Sequence, residues 1–431
     1  MSAALSPPGL DDLARLADPE VIRDPYPLLD RFREASPFAV LDGALMVFGR
    51  HEHCSAILRD PRVSSQREQS ALAPPQERER TRSFLSLDPP DHTRLRRLVA
   101  KAFSHRVVAT MAPRIQQVTD ALLDQAAAGG GEHRGGIRGV VPPGQHGDRL
   151  ELIGQLAYPL PVQIISEMLG VPPEDHARFA GWSASLAHSV QPTFGPPDPA
   201  EMAEMEQASA EFSDYFTELI GRRRSRPGDD LLTKLISAEE GGDRLSVEEL
   251  IATCVLLLVA GHETTVGLIA NGTLALLRHP GQFDALAKDP ALAARAVEET
   301  LRYDPPVQLT GRVAKDGLRI GAIEPPAGTV LLLLLAATGR DPAVFEHPDR
   351  FDIRRSASDN HAPREHLAFA AGPHFCLGAP LARLEGTIAL GTIARRVMGP
   401  RLEEASLAYR PNFNLRGPAR MVLGFDEIRP K

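Results

Sequence analysis

The most informative stretch of this sequence is Phe369-Ala370-Ala371-Gly372-Pro373-His374-Phe375-Cys376-Leu377-Gly378-Ala379-Pro380, which directly precedes an apolar helical pattern at residues 381–395. Pro380 suits the first position of a helix, where a missing N–H costs nothing. Cys376 therefore lies just before a helix N-terminus, and the free N–H groups and the helix dipole there favour its thiolate form. The glycines of the stretch permit tight turns and a close approach to a flat ligand.

On this stretch alone, three interpretations of Cys376 remain open. Its thiolate can be the single cysteine ligand that haem iron accepts, it can be a nucleophile, or the residue can be an inert buried cysteine. The other cysteines, Cys54 and Cys254, lie far away in sequence, and no two cysteines have C-x-x-C spacing. We therefore expect neither a disulfide framework nor a zinc site, and we interpret Cys54 and Cys254 as packing residues.

A long helical pattern at residues 246–278 carries the next informative stretch, Ala260-Gly261-His262-Glu263-Thr264-Thr265. Ser246 suits the N-cap of this helix, and Glu249 completes a capping box three residues later. The small residues at the start of the stretch leave room for a flat partner.

Glu263 and Thr264 are candidates for proton transfer, because a buried carboxylate beside a hydroxyl is costly unless something uses it. Thr264 can donate a hydrogen bond to a carbonyl one turn back and open the helix locally, which leaves room for a water or a diatomic ligand. Glu263 and Thr264 would then pass protons to a bound oxygen. The alternative is that Thr264 bonds its own helix without further effect while Glu263 reaches solvent on the far face.

Other charged residues are less specific. Glu299 and Arg302 share one helical face, as many surface pairs do. Four basic side chains are scattered along the chain, and each alone has little meaning: His92, Arg96, Arg312 and His374. A haem carries two propionates, so several cations would be needed near one of its edges.

Helical periodicity dominates the rest of the chain. It covers residues 89–102, 108–128, 159–169, 201–224, 246–278 and 292–303. Alternation at residues 38–48 predicts a hairpin, and residues 329–335 predict a buried strand after a Pro-Pro-Ala-Gly turn. The glycine-rich residues 129–148 predict a mobile surface loop. We expect a mainly α fold with a small β-rich part, in a single domain over residues 1–431.

Composition excludes other classes of protein. The chain has 431 residues, 43% of them hydrophobic, and a formal net charge of −8, without the basic balance that nucleic-acid binding needs. The N-terminus lacks the pattern of a signal peptide. The apolar run at residues 254–261 is far shorter than the roughly 20 residues that a membrane span needs. We expect a cytoplasmic protein with no nucleic-acid or membrane partner.

Taken together, these motifs resemble the haem-thiolate monooxygenases of the cytochrome P-450 family, from Asp24-Pro25-Tyr26 to Arg416-Gly417-Pro418. The cysteine stretch matches F-x-x-G-x-H-x-C-x-G, the stretch at 260–265 matches A-G-x-[D/E]-T-T, and Glu299-Thr300-Leu301-Arg302 matches E-x-x-R. All three motifs occur in the order that the family has. The sequence departs from the family where Ala370 replaces a common glycine and where Gly339 replaces an asparagine found in many relatives.

The resemblance implies a haem b whose axial ligand is the Cys376 thiolate, with electron donation that favours O–O cleavage. It implies that Glu263 and Thr264 relay protons on the opposite side of the haem. Glu299 and Arg302 would brace the cysteine loop, with Arg350 as the third member of the ion cluster and Arg354 as the second choice. The implied cofactor-binding residues are His92, Arg96, Ala260, Arg312, Phe369, His374, Cys376 and Gly378. The implied substrate residues are Leu256, Val259, Val307, Gln308, Leu309 and Phe413.

As a function, the resemblance implies hydroxylation or another oxidation of a small, largely apolar organic molecule of secondary-metabolite type, with O2 and two electrons. The sequence shows no glycine fingerprint for flavin or nicotinamide. The electrons are therefore expected from a separate ferredoxin and its reductase, with Arg94, Arg97 and Arg383 as candidates for the docking face. Two alternatives remain: a haem-thiolate enzyme of oxidative coupling or peroxide-driven chemistry, and a non-catalytic haem-binding protein.

Overall fold

The computed structural model describes residues 8–73, 83–129, 149–186, 199–240, 243–355 and 366–431. Helices predominate in these ranges, as predicted. They are α1 Leu10–Ala14, α2 Pro19–Arg23, α3 Tyr26–Ala35, α4 His51–Arg59, α5 Asp91–Ala100, α6 His105–Ala109, α7 Ala112–Ala127, α8 Pro159–Met168, α9 His176–Leu186, α10 Pro199–Ser225, α11 Leu231–Ser237, α12 Val247–Arg278, α13 Pro280–Lys288, α14 Ala293–Tyr303, α15 Leu335–Thr338 and α16 Ala379–Arg396. The predicted loop at 129–148 lies outside the described residues except for Gly129.

The predicted helical segments are confirmed to within a few residues, with one exception. Residues 108–128 do not form one helix, because α6 ends at Ala109 and α7 begins at Ala112. Pro113 lies in the first turn of α7. Proline lacks an N–H and its ring clashes with the preceding turn, so it is accommodated at the start of a new helix and not inside a continuous one.

The strands are short and form one larger sheet and several small ones. They are β1 Phe38–Val40, β2 Leu45–Phe48, β3 Val63–Ser64, β4 Arg149–Glu151, β5 Glu239–Glu240, β6 Asp243–Arg244, β7 Thr310–Ala314, β8 Val330–Leu333, β9 Val397–Met398, β10 Arg401–Leu402, β11 Ala408–Tyr409, β12 Pro418–Arg420, β13 Val422–Gly424 and β14 Glu427–Ile428. The larger sheet has the order β1-β2-β8-β7-β3.

The larger sheet confirms both predicted strand segments. β1 and β2 form the antiparallel hairpin, with Phe38 opposite Val47. β8 is the buried strand, and it pairs parallel to β2 and antiparallel to β7. Arg312 therefore lies on an internal strand of the sheet, opposite Leu331.

α12 runs through the centre of the molecule. The side chain of Ser246 accepts a hydrogen bond from the Glu249 N–H, and the Glu249 carboxylate accepts one from the Ser246 N–H, so the predicted capping box is present. At 32 residues, α12 is long and apolar enough to cross a membrane, but 67% of its most apolar window is buried inside the protein. This burial is typical of a core helix.

The helices that carry the three sequence motifs pack against one another. α12 contacts both α14 and α16, and α14 contacts α16. Leu268 of α12, Val297 of α14 and Leu390 of α16 belong to the same large apolar cluster. These contacts fix three features relative to one another. They are the adjacent Glu263 and Thr264 (the acid–alcohol step), the E-x-x-R pair and the helix that follows Cys376. A second apolar cluster joins the N-terminal helices to the sheet through residues such as Phe32 and Leu332.

Candidate active site

The cysteine loop is closed by the backbone and held against α4. The N–H of Cys376 donates to the carbonyl oxygen of Phe369 at 2.9 Å. Gly372 has φ +68°, and a Cβ at this position would lie 2.2 Å from the carbonyl oxygen of Leu58. Any larger residue at 372 would therefore meet both backbone strain and a backbone clash. Ala370, where the family commonly has glycine, also has a left-handed backbone, with φ +55°.

The surroundings of the Cys376 sulfur act on its thiolate in two opposing ways. Burial raises the pKa of the Cys376 thiol, while the N–H groups of Gly378 and Ala379 and the cations Arg96 and Arg383 lower it. The net pKa is raised, so the helix N-terminus does not favour the thiolate as much as the sequence predicted, because desolvation outweighs it. The N–H groups of Gly378 and Ala379 nevertheless donate towards the sulfur and stabilise negative charge on it. A bound metal ion would complete the deprotonation of such a thiol.

Phe369 connects the cysteine loop to α14 and α16. Its side chain is buried, and the Arg383 guanidinium lies 4.6 Å from the centre of its ring. Arg383 in turn donates to the carboxylate of Glu298 at 2.6 Å and 3.0 Å, and His366 lies 3.1 Å from the same carboxylate. The bonds to His366 and Arg383 outweigh burial and lower the pKa of Glu298 to about 2. The loop is therefore supported by an ion pair from α14.

The four basic residues from separate parts of the sequence lie together beside this loop. The rings of His92 and His374 are 4.1 Å apart between their centres. Arg96, one turn further along α5, donates to the carbonyl oxygen of Phe375 at 2.5 Å. Arg312 reaches the group from β7, and its charge helps to lower the pKa of His374.

This basic cluster (His92, Arg96, Arg312 and His374) is electrostatically unbalanced. None of its members pairs with a carboxylate within the described part of the chain, and both ring nitrogens of the buried His92 lack a hydrogen-bond partner there. Burial, followed by the charges of Arg312 and His92, lowers the pKa of His374 to about 3. Burial also lowers the pKa of Arg312 to about 10. Arg96 and Arg312, which pair with no carboxylate among the described residues, and the ring N–H donors of the two neutral histidines fit a ligand that carries negative charge, and the two carboxylates of a haem meet this requirement.

The acid–alcohol step faces two directions from α12. The hydroxyl of Thr264 donates to the carbonyl oxygen of Ala260 at 2.9 Å, which is the bond predicted from the sequence. Ala260 is exposed and Thr264 is partly exposed, although this stretch of α12 is otherwise largely buried. This open face of α12, formed by Ala260 and Thr264, has room for a flat ligand.

Glu263 does not reach solvent on the far face of α12, as the alternative interpretation expected. Its side chain is 9% exposed and forms an ion pair with Arg410. Its other carboxylate oxygen lies 3.1 Å from Nε2 of His262. The contact with His262 was not predicted, and neither was the pair with Arg410, which lies 147 residues away in sequence. No local pattern links residues so distant in sequence.

The ion cluster around Glu299 is present, but its third member differs from the prediction. Arg302 donates to the Glu299 carboxylate through Nε and a terminal nitrogen, both at 2.8 Å. Arg355 supplies the third side chain, with Nε 3.2 Å from both carboxylate oxygens. The Arg350 side chain instead faces Asp352 at 3.5 Å and is largely exposed, and Arg354 is exposed.

Arg302 also explains the glycine at position 339. One terminal nitrogen of Arg302 donates to the carbonyl oxygen of Gly339 at 2.7 Å. A Cβ at 339 would lie 2.0 Å from the Arg302 carbonyl oxygen. The two backbones approach so closely that only glycine fits this arrangement without a shift.

The predicted substrate residues differ in where they lie relative to the open face of α12. Leu256 is one turn from Ala260 on the same side of α12, and the backbones of Val307 and Gln308 pair with Leu415 and Asn414. The remaining three, Val259, Leu309 and Phe413, pack against other parts of the protein. Val259 is 1% exposed and lies on the Glu263 side of α12, and Leu309 is buried in the N-terminal cluster, against which Phe413 also packs.

Comparison with known proteins identifies the family. The family model "Cytochrome P450" matches residues 190–397. The cytochrome P450 monooxygenase PikC of Streptomyces venezuelae is 40% identical over 422 residues, which are 96% of this chain and 93% of that protein. The chain belongs to the cytochrome P450 family. The vitamin D(3) 25-hydroxylase of Pseudonocardia autotrophica is 37% identical and is matched over 93% of both chains.

A solved structure shows that the likeness extends to the whole cytochrome P450 fold. Ligand-free CYP164A2 of Mycobacterium smegmatis superposes with a TM-score of 0.83 and 44% identity, over 96% of this chain and 99% of that one. The mainly α fold with its small sheets is thus confirmed. Named monooxygenases at this level of identity establish that this cytochrome P450 is a monooxygenase. Membership of the family implies a haem cofactor with a cysteine thiolate ligand.

Proposed function

We propose that this cytochrome P450 hydroxylates or otherwise oxidises a small, largely apolar organic molecule of secondary-metabolite type, using O2 and two electrons from a separate redox partner. The observation that carries the proposal is the unbalanced basic cluster beside the Cys376 loop. It accounts in one step for the arginines from α5 and β7 and for the neutral histidines between them, because haem would bring two carboxylates to the same place. The open face of α12 provides the second wall.

In this proposal the Cys376 thiolate would hold the haem iron. The N–H groups of Gly378 and Ala379 direct positive charge at its sulfur, and Phe369 and Gly378 keep the loop close to a flat ring. His92, Arg96, Arg312 and His374 hold the carboxylates, and Ala260 leaves room for the opposite face. When bound, haem supplies the activation of O2, which the thiolate assists by electron donation.

Glu263 and Thr264 move protons towards the open face of α12. Thr264 has its hydroxyl fixed by the Ala260 carbonyl, so the oxygen lone pairs remain available to accept a proton or a hydrogen bond. Glu263 is buried and held by Arg410, so it can act as a proton donor and acceptor shielded from bulk water. A non-catalytic haem-binding protein would not need such a pair.

The substrate is inferred from the chemistry of the walls. Leu256, Val307 and Phe413 are apolar, and Gln308 adds one polar group whose buried oxygen has no partner among the described residues. Such a surface binds mainly by the hydrophobic effect, with few directional contacts. The name of the vitamin D(3) 25-hydroxylase agrees with an apolar substrate of medium size.

The electron donor is proposed to be a ferredoxin with its NAD(P)H-dependent reductase. Two of the predicted docking residues are engaged inside this chain: Arg94 pairs with Asp243 and Glu249, and Arg383 pairs with Glu298. Their side chains remain partly exposed, at 31% and 37%. Because internal carboxylates already balance them, Arg94 and Arg383 contribute less to docking than their charge suggests.

The ligand assignment is tested with the carbon monoxide complex of the reduced holoenzyme. The wild-type protein and a Cys254→Ala control should show the strongly red-shifted Soret band of thiolate ligation, because Cys254 is buried in the core of α12. Cys376→Ala should lose this band. An unchanged spectrum in Cys376→Ala would overturn the assignment.

The reaction is tested in two steps. Apolar natural products are screened for a shift of the ferric spin state, and hits are turned over with ferredoxin, reductase and isotopically labelled O2. One labelled oxygen atom in the product supports monooxygenation. A product formed without labelled oxygen indicates oxidative coupling, and turnover only with added peroxide indicates peroxide-driven chemistry.

A further inference from the structure

His262 occupies an unusual position in α12, because each of its ring nitrogens faces an oxygen. The residue is fully buried. Nδ1 lies 3.0 Å from the carbonyl oxygen of Leu258, and Nε2 lies 3.1 Å from Oε1 of Glu263. Oε2 of Glu263 is the oxygen that pairs with Arg410.

The number of protons follows from these contacts. A carbonyl oxygen only accepts hydrogen bonds, and an ionised carboxylate also only accepts them. A neutral imidazole has one N–H, so either tautomer leaves a lone pair of His262 directed at an oxygen of Leu258 or Glu263. Both contacts are hydrogen bonds only if one additional proton lies between Nε2 and Oε1. A buried contact between two acceptors would otherwise be unfavourable.

The surroundings determine how the two partners of this contact hold the proton. Burial, and then the positive charge of Arg410, lowers the pKa of His262 to about 4. Tyr158, whose ring meets that of His262 edge-on at 5.5 Å, stays neutral, because burial raises its pKa to about 12. With Arg410 and Tyr158 facing the pair, a second proton on the imidazole is disfavoured. Arg410 also pairs directly with Glu263 and opposes protonation of its carboxylate, so the proton belongs to the His262–Glu263 pair jointly.

We propose that His262 and Glu263 share one proton across the Nε2–Oε1 contact, and that this is the proton that the acid–alcohol step gives up. This inference rests on the proposed function of Glu263 and Thr264. When the shared proton leaves towards the open face of α12, Glu263 is a carboxylate whose charge Arg410 balances. A proton from water then restores the pair, and no electrons move. His262 is a positioning residue that holds the shared proton at Glu263.

The proton count can be measured directly in the wild-type holoenzyme at neutral pH. Infrared difference spectra against Glu263→Gln should show a carboxylic-acid C=O band that shifts in D2O, or nitrogen NMR should show a His262 ring protonated on both nitrogens. Either result places a proton in the contact. An ionised Glu263 beside a neutral His262 overturns the proposal.

A matched control distinguishes His262 from other histidines of the helix. His279, at the end of α12, makes the same Nδ1 contact with a carbonyl oxygen, that of Ala275 at 2.8 Å. No carboxylate is recorded at its Nε2 among the described residues. His279→Gln should therefore leave the Glu263 band unchanged, whereas His262→Gln should abolish it. A band that survives in His262→Gln contradicts the sharing of the proton.

Turnover gives an independent readout. His262→Gln should lower the product formed per electron consumed by on the order of tenfold and change its pH profile, while His279→Gln should not. A changed pH profile is not expected if His262 has only a structural role. The spectroscopic proton count needs no substrate or electron donor, so it can succeed even if the proposed reaction is wrong. If the count fails while Thr264 variants still uncouple, the proposed function stands without this inference.

Discussion

Nε of Arg355 lies 3.2 Å from both carboxylate oxygens of Glu299, and this contact completes an ion cluster in which every strong donor has an acceptor. The remaining nitrogens of Arg355 donate to the carbonyl oxygens of Glu346, His347 and Arg350. The N–H of Asp352 donates to Glu299 at 2.8 Å. A single buried carboxylate thus organises the segment that leads into the cysteine loop.

Arg355→Ala should destabilise the protein by about 2–4 kcal/mol, because it removes one partner of the buried Glu299 carboxylate. Arg350→Ala is the matched control and should change the free energy of unfolding by less than about 0.5 kcal/mol, since its side chain is 66% exposed. Urea unfolding of both variants measures the difference. Equal losses would contradict the assignment of Arg355.

Arg312→Gln should weaken haem binding by about tenfold or more, because the variant loses a charge-assisted contact that is worth about 1.5–3 kcal/mol. Arg319→Gln is a suitable control, since Arg319 is 70% exposed and pairs with Glu324. Transfer of haem to an acceptor protein in excess measures the dissociation rate. If Arg312→Gln retains haem like Arg319→Gln, the basic cluster does not hold the carboxylates.

Ala370→Gly should stabilise the protein by about 0.5–1 kcal/mol. Ala370 has φ +55°, and a left-handed backbone costs a non-glycine residue roughly 1–2 kcal/mol, part of which is offset by the greater freedom of glycine in the unfolded chain. Ala371→Gly, one residue later and at φ −153°, should instead destabilise by about 1 kcal/mol. Thermal unfolding of the two variants should therefore move in opposite directions.

Features that depend on local sequence pattern were predictable, and features that depend on contacts between distant residues were not. The long amphipathic helices, the hairpin and the cysteine loop were predictable, because periodicity, caps and turn residues act within a few residues of each other. The partner of Glu299 was not, because a turn at Asp352 decides whether Arg350 or Arg355 faces the carboxylate. The depth of Val259 and Leu309 in the protein was not predictable either, because helix phase and sheet packing set it.

Arg410 shows the same limit more strongly. Its sequence neighbours give no sign of a functional role, and only the tertiary fold brings the end of β11 to Glu263 in the middle of α12. The four residues of the basic cluster were identified from the family resemblance, and their proximity to one another had no local signal. Chemistry that depends on long-range contacts therefore requires coordinates.

Glu385 should make the stability of the protein fall as the pH rises. It is 1% exposed, one of its oxygens has no partner among the described residues, and burial raises its pKa from 4.5 to about 8. The folded state binds this proton more tightly than the unfolded chain does. The stabilisation by that proton is therefore complete below about pH 4.5 and is lost progressively as the pH rises to about 8.

Glu385→Gln should flatten this dependence and raise the stability at the alkaline end by about 2–4 kcal/mol relative to wild type. Urea unfolding at the two ends of this pH window measures the effect. Glu404→Gln serves as the control, because Glu404 is 54% exposed and its variant should keep the wild-type slope. An unchanged slope in Glu385→Gln would mean that Glu385 is ionised or hydrated in the folded protein.

Thr264 and Thr265 allow the proton relay to be tested with two neighbouring hydroxyls. Both donate to the carbonyl oxygen four residues earlier, Thr264 to Ala260 at 2.9 Å and Thr265 to Gly261 at 3.2 Å. They differ in direction, since Thr264 is partly exposed on the open face of α12 and Thr265 is 2% exposed in the core. Thr264→Ala and Thr265→Ala therefore both remove a hydroxyl that bonds the helix backbone. Only Thr264→Ala also removes a hydroxyl from the open face of α12.

Thr264→Ala should still consume reductant and O2 but release much of the oxygen as hydrogen peroxide, with product per electron lower by on the order of tenfold. Thr265→Ala should keep the wild-type ratio of product to reductant, with at most a modest loss of stability from the buried hydroxyl that it removes. Parallel assays of reductant, peroxide and product measure the coupling of each variant. Full coupling in Thr264→Ala would remove Thr264 from the relay, and uncoupling in both variants would assign the effect to the shape of α12, because only that is changed in common.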